Sequence, residues 1–313
     1  LRPTKAQQHK LAESLELCRF VYNQTLAARK EAYEQRGETL GYYKTTKLIP
    51  GWKAARPELS KVHSQVLQNT MTRIDLAFQA FFRRVKVGEK PGYPRFKSFG
   101  CYDSITYPQY GKHGGAKLDG DILTLSKVGA VKVKLHRPVA STVKTVTIQR
   151  TAGKWYACFS CEVETKPLPP NAKSVGIDLG LKTFAMFSDG GRIKRQRWMK
   201  RDANDVTRLQ RKKERLTEGT PERHKVISTL QQAYQRATNR RANFAHQESR
   251  KLVNAYQLMV FEKLDIPDMQ SGDNRVINRN IADAAWGQFV QFSTYKAESA
   301  GRVVLFVNPR GNT

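Results

Sequence analysis

The segment Val175-Gly-Ile-Asp-Leu-Gly180 sets one carboxylate, Asp178, in an otherwise apolar strand flanked by glycines. A second apolar strand, Met259-Val-Phe-Glu-Lys-Leu264, carries a second carboxylate, Glu262. A carboxylate that emerges from a buried strand is costly unless a cation pairs with it. Two of them on neighbouring strands suit Mg²⁺, which takes oxygen ligands and keeps its waters for phosphate. The simpler interpretation is that each acid caps its strand or pairs with Lys182 or Lys263.

The elements around these strands follow the order of a ribonuclease H-like α/β fold. The apolar pattern predicts strands at residues 173–178, 183–188, 192–198, 258–261 and 302–307, and helices over residues 202–256 and 281–300. The longer helical stretch breaks near Gly219, where Thr220 is a suitable N-cap and Pro221 a suitable first helical residue.

The first 90 residues are predicted to be helical. One apolar stripe ends before Gly37 and comprises Leu11, Leu15, Cys18, Val21, Tyr22 and Leu26. A second comprises Leu67, Met71, Ile74, Phe78, Phe81 and Val85. The polar face of that second helix carries Gln65, Gln68, Asn69, Thr72 and Arg73. The connection between the two helices is polar, ends at Pro50-Gly51, and contains Tyr42, Tyr43, Lys44 and Lys47. The polar face of the second helix is either exposed to solvent or a base-reading surface, since glutamine and asparagine pair with adenine in a major groove.

A β-rich region is predicted next. Lys90-Pro-Gly-Tyr-Pro-Arg-Phe-Lys97 ends the helical pattern, and residues 103–165 alternate apolar and polar side chains between turns. Short antiparallel strands at this spacing predict a small barrel. Pro167-Leu-Pro-Pro170 is a stiff linker. The predicted domains are therefore residues 1–90, residues 91–170 and residues 171–313, in a multidomain α+β chain.

The charge of the chain predicts a polyanionic partner. Lys and Arg number 55 against 27 Asp and Glu, which gives a formal net charge of +28. This excess repels itself in a compact fold, and a nucleic acid relieves that repulsion. Membrane-surface binding is disfavoured, because no segment combines a basic face with an unpaired apolar face. No apolar run approaches the roughly 20 residues that span a bilayer.

The four cysteines predict reduced thiols in a cytosolic protein. Cys158 and Cys161 have CxxC spacing, but no second Cys/His pair stands at the spacing that zinc needs. A strand over residues 155–165 would also point these two side chains to opposite faces. We therefore expect structural thiols and not a metal site.

An ordered series of motifs resembles the TnpB nucleases of insertion sequences, which are related to compact type V CRISPR effectors. The series covers nearly the whole chain and comprises Arg19-Phe-Val-Tyr-Asn23, Leu67-Gln-Asn69, Gly92-Tyr-Pro-Arg-Phe96, Gly176-Ile-Asp-Leu-Gly-Leu-Lys182, Phe261-Glu-Lys-Leu264 and Ile281-Ala-Asp-Ala-Ala-Trp-Gly287. The resemblance implies a helical recognition domain inserted in a wedge-like β-barrel, followed by a RuvC-type nuclease domain. It also implies a guide RNA from the transposon end, and a bacterial or archaeal chain that acts at the nucleoid.

The resemblance assigns roles to particular residues. Asp178 and Glu262 take the places of the first two catalytic acids, and would hold two Mg²⁺ ions for phosphodiester cleavage. Tyr42, Gln68 and Asn69 are the candidates for reading a short duplex motif beside the target. Contacts to the backbone of an RNA–DNA heteroduplex are expected from Arg95, Arg211, Lys212, Arg236, Arg240 and Arg241, although charge runs of this kind are usually solvated faces.

The C-terminal motif departs from the family pattern. Residues 307–313 resemble the lead-in to a zinc ribbon with two CxxC pairs and then the third catalytic Asp, and the sequence holds neither. Zn²⁺ is therefore expected only in a ribbon beyond residue 313. Asp265, Asp268, Asp273 and Asp283 follow Glu262 but do not match the third-acid motif. Two alternatives stay open, an RNA-guided DNA-binding repressor without cleavage and a DNA-strand transferase.

Overall fold

The computed structural model describes residues 1–139, 141–165 and 167–308, apart from the side chains of residues 199–201. Residues 309–313 of the C-terminal motif therefore lie outside the described residues. The chain divides into two compact units, the first spanning Leu1–Val163 and the second beginning at Glu164. None of the described helices is long and apolar enough to cross a membrane.

The first unit opens with two long helices that pack against each other. Its helices are α1 (Lys5–Arg36), α2 (Tyr42–Thr46), α3 (Ile49–Ala55) and α4 (Ser64–Lys86), with a 3-10 turn at Pro57–Lys61. Helix α1 begins with a capping box between Thr4 and Gln7. It ends at Gly37, whose φ of 61° is the left-handed conformation that glycine adopts without strain. The predicted end of this helix at Gly37 is thus confirmed.

The polar connection between the two long helices differs from the prediction. Pro50 and Gly51 do not end it, because they lie in the first turn of α3. Proline is tolerated there, since the backbone N–H that it lacks has no partner within the first turn of a helix. Tyr42 likewise begins the short helix α2 instead of lying in an irregular loop.

Two three-stranded antiparallel sheets complete the first unit. The strands are β1 (Ser104–Tyr107), β2 (Ala116–Asp119), β3 (Ile122–Leu125), β4 (Gly129–Lys132), β5 (Thr142–Thr151) and β6 (Lys154–Glu162). One sheet has the order β1-β5-β6 and the other β2-β3-β4. The predicted antiparallel strands are thus present, but the described ones form two separate three-stranded sheets and not one closed sheet. Their buried apolar side chains share one core with α1 and α4. Strand β6 carries Cys158 and Cys161 at positions of opposite parity, as the strand prediction required.

The second unit is a five-stranded sheet with helices. The strands are β7 (Ser174–Leu179), β8 (Ala185–Phe187), β9 (Arg192–Ile193), β10 (Leu258–Glu262) and β11 (Val303–Val307). Their order is β11-β10-β7-β8-β9, with β10 parallel to both β11 and β7 and with β8 antiparallel to its two neighbours. The helices are α5 (Trp198–Arg215), α6 (Pro221–Ala255), α7 (Ile266–Met269), α8 (Arg275–Ala284) and α9 (Trp286–Ala300). This is the predicted order, except that three helices and not one lie between β10 and β11.

Three predicted boundaries in the second unit can be compared with the structure. Thr220 caps α6 by accepting a hydrogen bond from the backbone of Arg223, as predicted. The predicted strand over residues 192–198 is wrong beyond Ile193, because Trp198 already begins α5. The single helix predicted over residues 281–300 is two helices, since Ala285 adopts φ 54° and separates α8 from α9.

Candidate active site and nucleic-acid interface

The sheet of the second unit brings the two predicted acids to neighbouring strands. In the parallel register of β10 and β7, Phe261 lies beside Ile177. Glu262 and Asp178 are the next residue of each strand, so they stand at the same level of the sheet. Parallel strands end at one edge, and a ligand site at that edge is the usual arrangement in α/β sheets.

The two acids also share one face of the sheet. Along β7, Val175, Ile177 and Leu179 are buried whereas Asp178 is exposed. Along β10, Met259 and Phe261 are buried and Glu262 is half-buried. Because side chains alternate between faces, the buried residues face the helices and the two carboxylates point the other way. The site is therefore open to solvent.

The strand residues beside the two acids on this face are apolar. Met186 is the partner of Asp178 in the antiparallel pair, and it is 43% exposed. Val307 is the partner of Glu262 in β11, and it is 42% exposed. A polyanion could approach this part of the sheet without meeting another acidic strand residue.

Neither acid has an ionic partner within the described part of the chain. The two interpretations that paired them with Lys182 or Lys263 find no such ion pair there. Among the same residues there is no group of three or more His, Cys, Asp and Glu side chains placed to hold a metal ion. The sheet thus places two carboxylates side by side as candidate oxygen donors for a cation.

The four acids that follow Glu262 do not join this pair as a formed group. Asp265 caps α7 by accepting a hydrogen bond from the backbone of Asp268. Asp283 is 6% exposed and lies 3.8 Å from the guanidinium of Arg241. It stands two residues before Ala285, where the chain turns between α8 and α9.

The loop that follows Asp178 is held by a half-buried arginine, Arg195. Arg195 donates to the carbonyl oxygen of Leu181 at 2.6 Å and to Oδ1 of Asn280 at 3.0 Å. Burial lowers the pKa of the Arg195 guanidinium, and the nearby Arg197 lowers it further. The arginine ties the end of β7 to α8 and so fixes the position of the first acid.

The candidate motif-reading residues lie in the first unit on α2 and α4, which pack against each other. Gln68 is exposed and has no hydrogen bond from its side-chain amide to any described residue. Asn69 is half-buried, and Tyr42 is half-buried with its ring 5.4 Å from that of Tyr43. Gln68 is therefore the member of this set whose amide is free for an external partner.

Two other polar residues of α4 are already engaged. Gln65 donates to Oε1 of Gln109 at 2.7 Å. Arg73 donates to the carbonyl oxygen of Ser104 at 2.7 Å and to Oγ1 of Thr106 at 2.8 Å. These bonds attach α4 to the β-sheet region, so the polar stripe is only partly available for recognition.

Helix α5 presents a basic concave surface in the second unit. The concavity has a volume of about 640 Å³ and is lined by Asn204, Thr207, Arg208, Arg211, Lys212 and Arg215. Arg211 and Lys212 were predicted from sequence and are exposed. Asn204, Thr207 and Arg208 were missed, although Arg208 and Thr207 lie three and four residues before Arg211, and Asn204 lies three and four residues before those two, so that all share one helix face.

The basic residues of α6 differ in their surroundings. Arg236 is exposed. Arg240 forms an ion pair with Asp202 of α5. Arg241 donates to the carbonyl oxygen of Ala282 at 3.2 Å. The last two arginines connect helices, whereas Arg236 is open to a phosphate.

Two of the sequence motifs meet in the first unit. The side chain of Asn23 accepts a hydrogen bond from the backbone N–H of Lys97 at 2.8 Å and donates to its carbonyl oxygen at 3.0 Å. Arg19 donates to the same carbonyl oxygen at 3.1 Å. Helix α1 thereby fixes the segment after α4, which leaves the predicted backbone contact Arg95 exposed.

The sequence matches known proteins over almost its full length. Residues 158–272 match the OrfB_IS605 family, described as "Probable transposase", and residues 1–38 match its "Helix-turn-helix domain". The chain is 29% identical to the Escherichia coli (strain K12) protein named "Putative RNA-guided DNA endonuclease InsQ", over 99% of this chain and 79% of that protein. A Streptomyces pristinaespiralis protein named "Putative RNA-guided DNA endonuclease" is 27% identical, over 98% of this chain and 75% of the other. The chain therefore resembles the OrfB_IS605 family and these two proteins.

A solved structure confirms the fold class of this chain. The cryo-EM structure of a Cas12f1-sgRNA-target DNA complex contains a chain that matches it with a TM-score of 0.55 at 12% identity, over 96% of this chain and 73% of that one. The predicted relation to compact type V effectors is therefore confirmed at the level of the fold. Within residues 1–38, the part that matches the helix-turn-helix domain, the chain forms a single helix, α1.

Proposed function

We propose that this chain is an RNA-guided DNA endonuclease of an insertion sequence. The observation that carries the proposal is the pair Asp178 and Glu262, side by side on adjacent parallel strands and without an ionic partner in the described part of a chain of net charge +28. Carboxylates in such a basic chain would ordinarily be neutralised by its own cations. Left unpaired on one face, they suit an external cation that binds phosphate.

The carboxylates of Asp178 and Glu262 suit Mg²⁺ and would fill one side of its coordination sphere. Asp178 and Glu262 would hold the metal through carboxylate oxygens, which are its preferred protein ligands. In the two-metal scheme, the bound ions activate a water and stabilise the leaving oxygen of a phosphodiester. The chain itself presents the two carboxylates on a rigid sheet and fixes the loop after Asp178 through Arg195.

The remaining residues of the proposal bind the nucleic acids. A guide RNA from the transposon end pairs with the target DNA, and Tyr42, Gln68 and Asn69 read a short duplex motif beside the target. Backbone phosphates are contacted by the exposed side chains of Arg95, Arg211, Lys212 and Arg236. Arg240 and Arg241 contribute chiefly by holding α6 against its neighbouring helices.

A second candidate is an RNA-guided DNA-binding repressor without cleavage. It is favoured by one observation, the absence among the described residues of a third acid grouped with Asp178 and Glu262. Both candidate functions use the guide RNA and the target duplex, and they differ only in whether the phosphodiester of the target is cleaved.

The test uses the protein expressed with the transposon end that encodes its guide. We expect the purified protein to retain RNA, to bind a duplex that matches the guide, and to cut it only when Mg²⁺ is present. A chain neutralising roughly six to ten phosphates should lose about 10³–10⁵ in affinity between roughly 50 and 200 mM salt. Guided binding without cutting in Mg²⁺ would establish the repressor instead. No preference for guide RNA over transfer RNA would reject both candidates.

A further inference from the structure

The end of α4 and the segment after it expose an unusual number of aromatic rings. Phe82 is 56% exposed, Tyr93 46%, Phe96 54% and Phe99 80%. Large apolar side chains gathered in this way on a protein surface mark an interaction site. We call these four rings, with the cations that lie between them in the sequence, the aromatic–basic surface.

Contacts with other side chains, and hydrogen bonds to the backbone between them, restrict the movement of these rings. The ring of Phe82 lies 5.3 Å from that of Phe81, and Phe81 in turn lies 5.5 Å from Tyr93 in an edge-on arrangement. Further along, the guanidinium of Arg19 lies 5.9 Å from the centre of the Phe99 ring. The two hydrogen bonds between Asn23 and the backbone of Lys97 fix the segment that carries Phe96 and Phe99. Preorganised rings lose little entropy when a partner stacks on them.

The charge around the rings identifies the kind of partner. Residues 82–99 contain six cations, Arg83, Arg84, Lys86, Lys90, Arg95 and Lys97, against a single acid, Glu89. All six cationic residues are exposed. A second copy of this chain would bring the same cations against each other across a two-fold axis, which disfavours self-association here. Exposed rings interleaved with cations are the chemistry that binds unpaired nucleotides, through stacking of bases and attraction of phosphates.

We propose that the aromatic–basic surface stacks on unpaired nucleotides of the guide RNA. This inference rests on the proposed function, which gives the chain an RNA as its permanent partner. The target enters as a duplex whose bases are already stacked, whereas RNA loops and ends offer bases that can be splayed onto aromatic side chains. The surface thus serves to anchor the guide, separately from the residues proposed to read the DNA motif.

The test compares Phe82→Ala and Phe99→Ala with a matched control, Leu76→Ala. Leu76 lies on α4 and is 56% exposed, as Phe82 is. The probes are an unstructured oligoribonucleotide of about 10 nucleotides and an RNA duplex of the same length, bound to nuclease-treated protein. We expect each phenylalanine variant to weaken binding of the single strand about 5- to 100-fold, and to leave duplex binding within about twofold. Phe82→Tyr and Phe99→Tyr should restore the wild-type affinity, since tyrosine offers the same ring face.

Several outcomes would overturn the inference. Single-strand binding by the phenylalanine variants that equals that of Leu76→Ala would show that the rings bind no bases. Equal losses on the single strand and the duplex would indicate a fault in folding or in phosphate binding. An equal effect on an oligodeoxyribonucleotide of the same sequence would assign the surface to single-stranded DNA, and a dimer that the variants dissociate would assign it to a second copy. Failure of the proposed function would appear differently, as wild-type protein that neither binds nor cuts under guide control.

Discussion

One carboxylate of the first unit and two of the second have opposite surroundings. In the first unit, Asp75 of α4 accepts a hydrogen bond from Arg29 of α1 at 2.7 Å, and the arginine side chain is 7% exposed. In the second unit, Asp178 and Glu262 stand on neighbouring strands and have no ionic partner among the described residues. Both units belong to one chain with 55 Lys and Arg side chains against 27 acids, so cations are not scarce in either.

The difference shows which polar groups the fold uses internally and which it leaves for a ligand. A buried arginine needs its carboxylate, because an uncompensated charge in a protein interior costs several kcal/mol. Two unpaired carboxylates on the same face repel each other, and a bound cation relieves that repulsion. The same contrast separates Gln65 from Gln68 on α4, and Arg240 from Arg236 on α6.

The sharpest test of this contrast is to neutralise the strand acids. Asp178→Asn or Glu262→Gln should lower the rate of guided DNA cleavage by about 10³-fold or more, because losing a metal ligand removes several kcal/mol of transition-state stabilisation. Guided binding of the target should stay near the wild-type affinity. The measurements are single-turnover cleavage in Mg²⁺ and a binding assay in a chelator.

A matched control for these variants is Glu298→Gln on α9, which alters an exposed acid of the same unit. It should cleave as the wild type does. If the double variant of Asp178 and Glu262 cleaves at the wild-type rate, the assignment of the site to this sheet is wrong.

The paired acid should behave in the opposite way. Asp75→Ala should destabilise the first unit by about 3 kcal/mol, because it leaves the buried guanidinium of Arg29 without its partner. Glu34→Ala breaks an exposed ion pair with Lys30 on α1, and should cost at most about 0.5 kcal/mol. Hydrogen exchange of peptides from α1 and α4 measures both changes within the first unit. Equal protection in the two variants would contradict the distinction between buried and exposed pairs.

Much of this arrangement could be predicted from the sequence. A lone acid in an apolar strand is visible in the sequence, and the order of elements predicts which strands become neighbours. The capping box of α1 was not foreseen, but the end of this helix at Gly37 was, because glycine has few other reasons to follow an apolar helix. Local signals of this kind suffice for helix ends and strand positions.

The remaining features depend on contacts between residues far apart in the chain. Nothing near Arg240 shows that its guanidinium pairs with Asp202, and nothing near Ala285 signals its left-handed conformation. Lys296 reads as a surface residue, yet it is buried and donates to the carbonyl oxygen of His246 at 2.7 Å, and burial lowers its pKa. Tertiary packing decides such cases, because it overrides the local preference of a residue.

The two glutamines of α4 extend the comparison to base recognition. Gln68→Ala should cost about 1–3 kcal/mol of target affinity at one base position of the flanking motif, because its amide is free to pair with a base edge. Gln65→Ala should leave the sequence preference unchanged, since its amide already bonds Gln109. Affinity for a panel of duplexes with each flanking base substituted measures both effects. A loss for Gln68→Ala that is equal across all flanking sequences would make this residue a backbone contact.

The smallest expected effect comes from the two arginines of α6. Arg236 is exposed, so Arg236→Gln should remove one phosphate contact and lower the slope of log affinity against log salt by about 1. Between roughly 50 and 200 mM salt this change amounts to about a threefold to fourfold difference in relative affinity. Arg240→Gln should leave the slope unchanged, because its guanidinium pairs with Asp202, and should instead loosen the contact between α5 and α6. Titrations of the guide RNA at several salt concentrations measure the slopes, and hydrogen exchange in α5 measures the loosening. Equal slopes for the two variants would mean that the exposed Arg236 and the paired Arg240 contribute equally to phosphate binding. The exposure of an arginine on this helix would then not predict its phosphate contacts.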